Sequence, residues 1–162
     1  IGYKDPNVTD VNFCYLRYAD VVLMAAEAYN ETDNTPEAWK LLNSVRKRAG
    51  AREITTANYT ELMKEKVYKL NFISDGDDAG KFRTALYWER GFELAFEGQR
   101  KYDLIRWGII KEALTLFSNR SSVKSAYPAG DNFQKGKHEL FPIPLDELQL
   151  NPMFENKNNP NY

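Results

Sequence analysis

Residues 13–29 read Phe13-Cys14-Tyr15-Leu16-Arg17-Tyr18-Ala19-Asp20-Val21-Val22-Leu23-Met24-Ala25-Ala26-Glu27-Ala28-Tyr29. Apolar side chains recur here at every third or fourth position, and neither glycine nor proline interrupts them. This spacing places the apolar side chains on one face of an α-helix. The run therefore predicts a long, mostly buried helix.

A second helix is predicted after a short polar loop. Pro36 fits the first helical position with Thr35 as its cap, and Glu37 adds a negative charge to the first turn. Gly50 has the place after the last turn that glycine commonly takes. Three basic residues complement the negative end of the helix dipole: Arg46, Lys47 and Arg48. These signals predict a helix that ends at about Ala49.

The two helices together span roughly the 34 residues of a tetratricopeptide repeat (TPR). Close crossing of such a pair needs small side chains, and Ala38 supplies one on the second helix. The residues of the first helix that would pack against it are Val22, Ala25, Ala26 and Tyr29. The Trp and Gly usual in the repeat are missing, and a stable solenoid needs about three repeats. Residues 13–50 are therefore predicted to form one TPR-like hairpin, with further repeats preceding the chain.

Apolar periodicity predicts three more helices, at about residues 59–73, 81–98 and 100–117. Trp88 and Trp107 lie on the apolar stripes of the last two and are expected inside. The tail contains five prolines: Pro128, Pro142, Pro144, Pro152 and Pro160. Because proline opposes long regular structure, the tail is predicted to be an extended strap over the helices. The predicted fold is all-α, with a TPR-like hairpin, packed helices and a Pro-rich C-terminal strap.

The composition excludes several classes of function. The chain has 22 Lys and Arg against 23 Asp and Glu, so it lacks the excess positive charge that nucleic acid or an anionic membrane surface would need. Cys14 is the only cysteine, which excludes an internal disulfide and a thiolate metal cluster. No apolar run approaches the roughly 18 residues of a membrane span, and residues 1–10 lack a signal sequence. The chain is interpreted as a fragment, with any export signal or lipid anchor upstream.

Three segments of the sequence resemble one protein family. The first comprises LRYADVVLMAAEA at residues 16–28 and LNSVRKRAG at residues 42–50. The second and most specific reads ERGFELAFEGQRKYDLIRWG at residues 89–108. The third comprises Phe141-Pro142-Ile143-Pro144, Glu147-Leu148, Asn151-Pro152 and the terminal Asn159-Pro160-Asn161-Tyr162. In this order the segments resemble the C-terminal portion of the SusD/RagB nutrient-binding proteins. Asn161 replaces a glycine usual in the family, which is the expected substitute if the position needs a positive φ.

The resemblance implies non-catalytic binding of nutrients, usually oligosaccharides or other glycans. It further implies a surface-exposed lipoprotein of a Gram-negative outer membrane, with a TonB-dependent, SusC-like transporter as its partner. Residues 1–162 would form the C-terminal domain, without cofactor or metal. Two alternatives stay open. One is a structural lid or docking scaffold on the transporter without glycan contact in this part, and the other, less favoured, is a glycoside hydrolase domain.

The second segment concentrates charged residues on one helix edge. Glu89, Glu93 and Glu97 follow one another at intervals of four. A glycoside hydrolase needs two carboxyl groups that face each other across the substrate. Carboxylates on one edge beside arginines instead predict an ion-paired lock between helices. The expected structural motif consists of Arg17, Asp20, Glu89, Arg90, Glu93, Glu97, Arg100, Asp103, Arg106 and Trp107.

Three aromatic residues are candidate ligand contacts, because exposed aromatic rings can pack against the apolar faces of sugars. Trp39 lies near a helix start, and Tyr127 and Phe133 lie in a polar loop, so all three are expected to be partly exposed. Packing without ligand contact is the favoured alternative for each. No catalytic residue is expected, since the only histidine, His138, lies in a loop without a nucleophile motif near it.

Overall fold

The computed structural model describes residues 14–63, 70–120, 128–155 and 157–162. These ranges contain helices and no strand, which confirms the predicted all-α class. The helices are α1 (Tyr18–Glu31), α2 (Thr35–Arg48), α3 (Tyr59–Leu62), α4 (Asp78–Glu93), α5 (Arg100–Arg106), α6 (Ile110–Arg120), α7 (Ala129–Asn132) and α8 (Leu145–Leu150), followed by a 3-10 turn at Pro152–Phe154. The chain divides into two compact units between Arg100 and Lys101. None of the described helices is both long and apolar enough to span a membrane.

The first unit is built on a hairpin of α1 and α2, against which α4 packs. Ala26 of α1 and Ala38 of α2 are fully buried, so small side chains allow the helices to cross closely. Tyr29, in contrast, is 42% exposed, and its predicted place in the helix packing is wrong. Helix α1 also begins later than predicted, because Arg17 has an extended backbone.

Helix α4 supplies much of the core of this unit. Phe82 is fully buried and meets the edge of the Trp39 ring, with the ring centroids 5.1 Å apart. The helix begins three residues before its predicted start at Lys81, because the Asp77 side chain caps it by accepting a hydrogen bond from the Gly80 N–H (2.7 Å). The predicted loop over residues 74–80 is therefore shorter than expected.

The end of α4 differs more strongly from the prediction. The helix stops at Glu93, and the following segment bends through positive φ angles at Phe96 (65°) and Gly98 (79°). Phe92 is 57% exposed and Phe96 fully exposed, so the predicted buried stripe ends before them. Trp88 is half-buried and stacks on Phe92, with a centroid separation of 5.9 Å.

Among the described residues, the helix predicted over residues 59–73 is seen at its start, as α3. Residues 64–69 lie outside the described part of the chain. Residues 70–73 are not helical, so the predicted C-terminal end is wrong.

In the second unit, one predicted helix over residues 100–117 is divided into α5 and α6. Gly108 has φ of 70°, and the N–H groups of Gly108 and Ile109 donate to the carbonyls of Ile105 and Leu104. This pattern is a Schellman motif, which ends α5 and turns the chain before α6 begins. Trp107 beside the break is half-buried rather than fully inside.

The Pro-rich tail contains short helices instead of one extended strap. Its last residues bond back onto an earlier segment. Ile143 N–H donates to the Asn158 side chain (2.7 Å), and the Tyr162 hydroxyl donates to the Leu140 carbonyl (3.0 Å). Asn161 has φ of 69°, which confirms the expectation that this position requires a positive φ.

Candidate functional site

A buried ion pair joins α1 to α4. The Arg90 Nη1 donates to the Asp20 carboxylate over 2.8 Å, and each residue is only 4% exposed. A buried charge is costly unless it is paired and hydrogen-bonded, so each partner depends on the other. This contact connects the first and second family segments at the centre of the first unit.

Three arginines from α2 and from the start of α1 engage the glutamates of the second segment. Arg17 donates to Glu97 (2.8 Å) and to Glu93 (2.5 Å). Arg48 also binds Glu93, and Arg46 binds Glu89. We name the eight residues of these pairs the charge lock: Arg17, Asp20, Arg46, Arg48, Glu89, Arg90, Glu93 and Glu97.

The charge lock is electrically balanced, with four arginines and four carboxylates. Hydrogen bonds that Arg17 donates to Glu97 and Glu93 raise its pKa above the ordinary value. Burial raises the pKa of Glu89, and the bond from Arg46 opposes this effect. Since the opposite charges neutralise one another across three helices, the arrangement fixes helix packing and presents no net charge for an ionic ligand.

The remaining members of the expected motif make other contacts. Arg100 donates to the Tyr87 carbonyl (2.8 Å) and lies over the Tyr87 ring at 3.9 Å. In the second unit, Asp103 accepts from Arg106 (3.0 Å), whose guanidinium lies 4.8 Å from the Trp107 ring centre. Sequence reasoning missed Arg46 and Arg48 as lock residues and assigned them to the helix dipole. Both residues lie in the first family segment, and this position could have indicated that they belong to the charge lock.

The expected exposure of two candidate ligand contacts is wrong. Trp39 is 8% exposed because α4 covers its ring, and Phe133 is 6% exposed and contacts the ring of His138. His138 is half-buried, and its Nδ1 accepts a hydrogen bond from the Gln134 N–H (2.9 Å). Tyr127 lies outside the described residues.

Trp39 nevertheless lines a cleft of about 310 Å³ in the first unit. The other lining residues are Thr35, Pro36, Thr55, Thr56, Ala57 and Asp78. The indole Nε1 of Trp39 is buried and has no hydrogen-bond partner among the described residues. Most buried donors are bonded, and ligand pockets begin at about 300 Å³. Three threonine hydroxyls and one carboxylate are the polar groups among the residues of this small, mostly apolar cleft.

Within the described ranges, no group of three His, Cys, Asp or Glu side chains is placed to hold a metal ion. Glu89, Glu93 and Glu97, on α4 and just after it, are already engaged by arginines.

Tyr59 makes the stability of the first unit sensitive to alkaline pH. The residue is 4% exposed, its hydroxyl donates to Asp75 (3.2 Å), and burial raises its pKa to about 12. In the unfolded chain a tyrosine ionises near pH ~10. The stabilisation by neutral Tyr59 is therefore complete below that pH and lost as the pH rises from ~10 to ~12.

Tyr59→Phe should consequently flatten the fall in unfolding free energy above pH ~10, because the variant lacks the ionising hydroxyl. Urea unfolding across this pH range measures the slope. Tyr29→Phe, at a half-exposed ring, is the matched control and should keep the wild-type profile. An unchanged slope in Tyr59→Phe would contradict the effect.

Arg17→Met should lower the free energy of unfolding by about 2 kcal/mol, since hydrogen bonds to charged groups contribute ~1.5–3 kcal/mol and Arg48 still holds Glu93. Arg52→Met is the control. Arg52 pairs with Glu61 at 3.4 Å, and more than half of each side chain is exposed. The expected loss there is below about 1 kcal/mol. Equal losses in the two variants, measured by urea unfolding, would show that Arg17 is an ordinary surface residue.

A helical hairpin, a third packed helix and a buried, balanced charge lock define an all-α protein. The chain belongs to the SusD family, whose model matches residues 2–162. This confirms the resemblance found in the three segments.

Individual relatives agree with this assignment. The SusD-like protein P25 of Formosa agariphila is 37% identical over 143 residues, which are 88% of this chain and 23% of that protein. The SusD-like protein P2 of the same organism is 32% identical over 155 residues, 95% of this chain and 26% of that protein. The crystal structure of a SusD homolog from Bacteroides thetaiotaomicron superposes with a TM-score of 0.69 at 36% identity, covering 95% of this chain and 28% of that one. The chain thus spans about a quarter of the length of these relatives.

Proposed function

We propose that this chain is the C-terminal part of a protein that binds nutrients without catalysis, chiefly oligosaccharides or other glycans. The protein would act at the cell surface as an outer-membrane lipoprotein whose anchor lies upstream. It would deliver its ligand to a TonB-dependent, SusC-like transporter. The observation that carries this proposal is the match to the SusD family over residues 2–162, because that family supports a nutrient-binding role.

The charge lock supports a binding scaffold more than a hydrolase. Glycoside hydrolysis needs one carboxyl group to donate a proton and a second to act from the opposite side of the sugar. Glu93 and Glu97 bind Arg17, and Glu89 is buried against Arg46. Carboxylates held by arginines at a helix interface are poorly placed to transfer protons to a substrate.

The cleft beside Trp39 is our proposed ligand contact within this chain. Thr35, Thr55 and Thr56 offer hydroxyls, and Asp78 offers an acceptor, which suits a hydroxyl-rich sugar better than an anion. Tyr127 and Phe133 remain candidate ligand contacts, ranked below the cleft beside Trp39. Phe133 would have to leave its buried site to meet a ligand.

A lid or docking scaffold that touches the transporter and no glycan is the second candidate. It is favoured by the small size of the described cleft and by the burial of Trp39 and Phe133. In that case the ligand site lies in the remaining three quarters of the full-length protein.

The decisive experiment is calorimetric titration of the full-length protein, with its lipid anchor removed, against a panel of oligosaccharides. We expect saturable binding without release of reducing ends. Steady release of reducing ends would instead show a hydrolase. Absence of binding to every glycan would overturn the glycan assignment and leave the docking scaffold.

A matched pair of variants tests the cleft separately. Thr56→Val should weaken glycan binding by the full-length protein about tenfold, the effect of losing ~1.4 kcal/mol at a hydrogen bond. Thr60→Val, at an exposed position on α3, should leave the affinity unchanged. If both variants bind as the wild type does, the ligand site lies elsewhere, and nutrient binding by the whole protein stands.

A further inference from the structure

His138 closes a short turn in the second unit by accepting a hydrogen bond on its ring. The backbone N–H groups of Lys137 and His138 both donate to the Gln134 carbonyl, at 3.2 and 3.1 Å. The imidazole folds back to the start of this turn, where its Nδ1 accepts from the Gln134 N–H at 2.9 Å. Gln134 is thus held through both its carbonyl and its N–H. We name residues 134–138 the histidine turn.

The bond to Nδ1 exists only while the imidazole is neutral. A backbone N–H is a donor, so Nδ1 must present a lone pair, and the ring proton then lies on Nε2. In an imidazolium both nitrogens are donors. Protonation would therefore place a second donor 2.9 Å from the Gln134 nitrogen and break the bond. Histidine is the side chain whose charge ordinarily changes between pH ~5 and ~8.

Asn161 and Tyr162, which we name the tail segment, are attached to the histidine turn and to the residues just after it. The Asn161 Nδ2 donates to the Gly136 carbonyl (3.0 Å), and the Tyr162 hydroxyl donates to the Leu140 carbonyl (3.0 Å). The rings of Tyr162 and His138 meet edge to face, with their centroids 6.5 Å apart. Because these partners lie on or beside one turn, a change in its shape disturbs all three contacts together.

The charged side chains beside His138 oppose a positive charge on its ring. Lys137 and Glu139 flank it in the chain. The Lys137 Nζ lies 4.9 Å from the centre of the Tyr162 ring, so an imidazolium would be a second cation against the same ring. The Glu139 carboxylate accepts from the Gly136 N–H (2.8 Å) and is already used within the turn. On the other side His138 meets the uncharged ring of Phe133.

We propose that His138 is a pH-sensitive clasp, which holds the tail segment on the histidine turn when neutral and releases it when protonated. The contact is complete at pH ~8, where histidine is neutral, and is lost as the pH falls towards ~5. Loss of one hydrogen bond should raise the population of the open tail segment about fivefold. The clasp involves contacts of the second unit alone and does not depend on where a nutrient binds.

Hydrogen exchange in the full-length protein, with its lipid anchor removed, measures this opening by mass spectrometry. Rates at each pH are divided by those of an unstructured peptide of the same sequence, which removes the intrinsic pH dependence of exchange. We expect protection of residues 134–140 and of the tail segment to fall about fivefold from pH 8 to pH 5, while protection of α6 stays constant. Unchanged protection of the turn in the wild type would overturn the proposal.

Two variants separate the titration of His138 from other effects of acid. In His138→Asn the amide oxygen can take the place of Nδ1 and does not titrate, so protection should stay high at both pH values. His138→Phe retains a ring against Tyr162 but offers no acceptor, so its turn should exchange rapidly at both pH values. A fivefold loss on acidification that persists in either variant would assign the pH dependence to another group. Equal protection in His138→Phe and the wild type at pH 8 would show that the bond to Nδ1 does not hold the turn.

Discussion

Asp20→Asn is expected to lower the free energy of unfolding by about 3–5 kcal/mol, the usual cost of removing one partner of a buried ion pair. The substitution keeps the size of the side chain and removes its charge. The Arg90 guanidinium then remains buried and loses its ion pair with Asp20, in a site where each residue is only 4% exposed. Urea unfolding followed by tryptophan fluorescence measures the change, since Trp39 and Trp88 report on this unit.

Two controls separate loss of the ion pair from loss of charge. Glu31→Gln breaks the half-exposed pair with Arg83 at 2.7 Å and should cost less than about 1 kcal/mol. The double variant Asp20→Leu with Arg90→Met replaces both charges by apolar groups and should be more stable than Asp20→Asn. A loss in Asp20→Asn no larger than that in Glu31→Gln would show that the pair contributes little to folding.

The expected motif contained six of the eight residues of the charge lock and missed Arg46 and Arg48. Spacing at intervals of four was enough to place Glu89, Glu93 and Glu97 on one helix edge. The partners depend on how helices cross, and Arg17 is 80 residues from Glu97. No local pattern contains that information, which is why Arg46 and Arg48 were assigned to the helix dipole.

Helix existence was more predictable than helix ends. Apolar spacing located α1 and α4, because a packed helix must present one apolar face. Capping and charge signals located α2. The ends depended on single backbone angles. Gly108 turns the chain through a Schellman motif, and Phe96 adopts a positive φ that its side chain does not favour. Apolar periodicity continues through both positions and therefore does not predict that the helices end there.

The exposure of single aromatic residues also could not be predicted from the sequence. Trp39 lies in the first turns of α2, where either a solvent-facing or a buried ring is compatible with the spacing. The Trp39 ring is buried because Phe82 of α4 packs against it. Burial of a ring is thus a property of the tertiary contact, and only the assembled helices reveal it.

Gly80→Ala is expected to destabilise the first unit by about 3 kcal/mol, at the upper end for overpacking. A Cβ atom on Gly80 would lie 2.0 Å from the backbone oxygen of Ser74 and 2.9 Å from the Asp77 carboxylate. A backbone atom cannot rotate away as a side chain can, so the start of α4 must separate from the preceding turn. That movement also weakens the cap that Asp77 provides through the Gly80 N–H.

Gly76→Ala is the matched control in the same turn. The nearest atom to its added Cβ is the Ser74 hydroxyl at 3.9 Å, an ordinary contact, so the change in unfolding free energy should stay within about 0.5 kcal/mol. Helix propensity opposes the expected loss at position 80, since alanine is favoured over glycine in a helix by ~1 kcal/mol. A stabilised Gly80→Ala would therefore mean that propensity outweighs the steric contact and that the turn moves at little cost. A loss confined to Gly80→Ala would show that close approach of the Ser74 backbone requires glycine at this position.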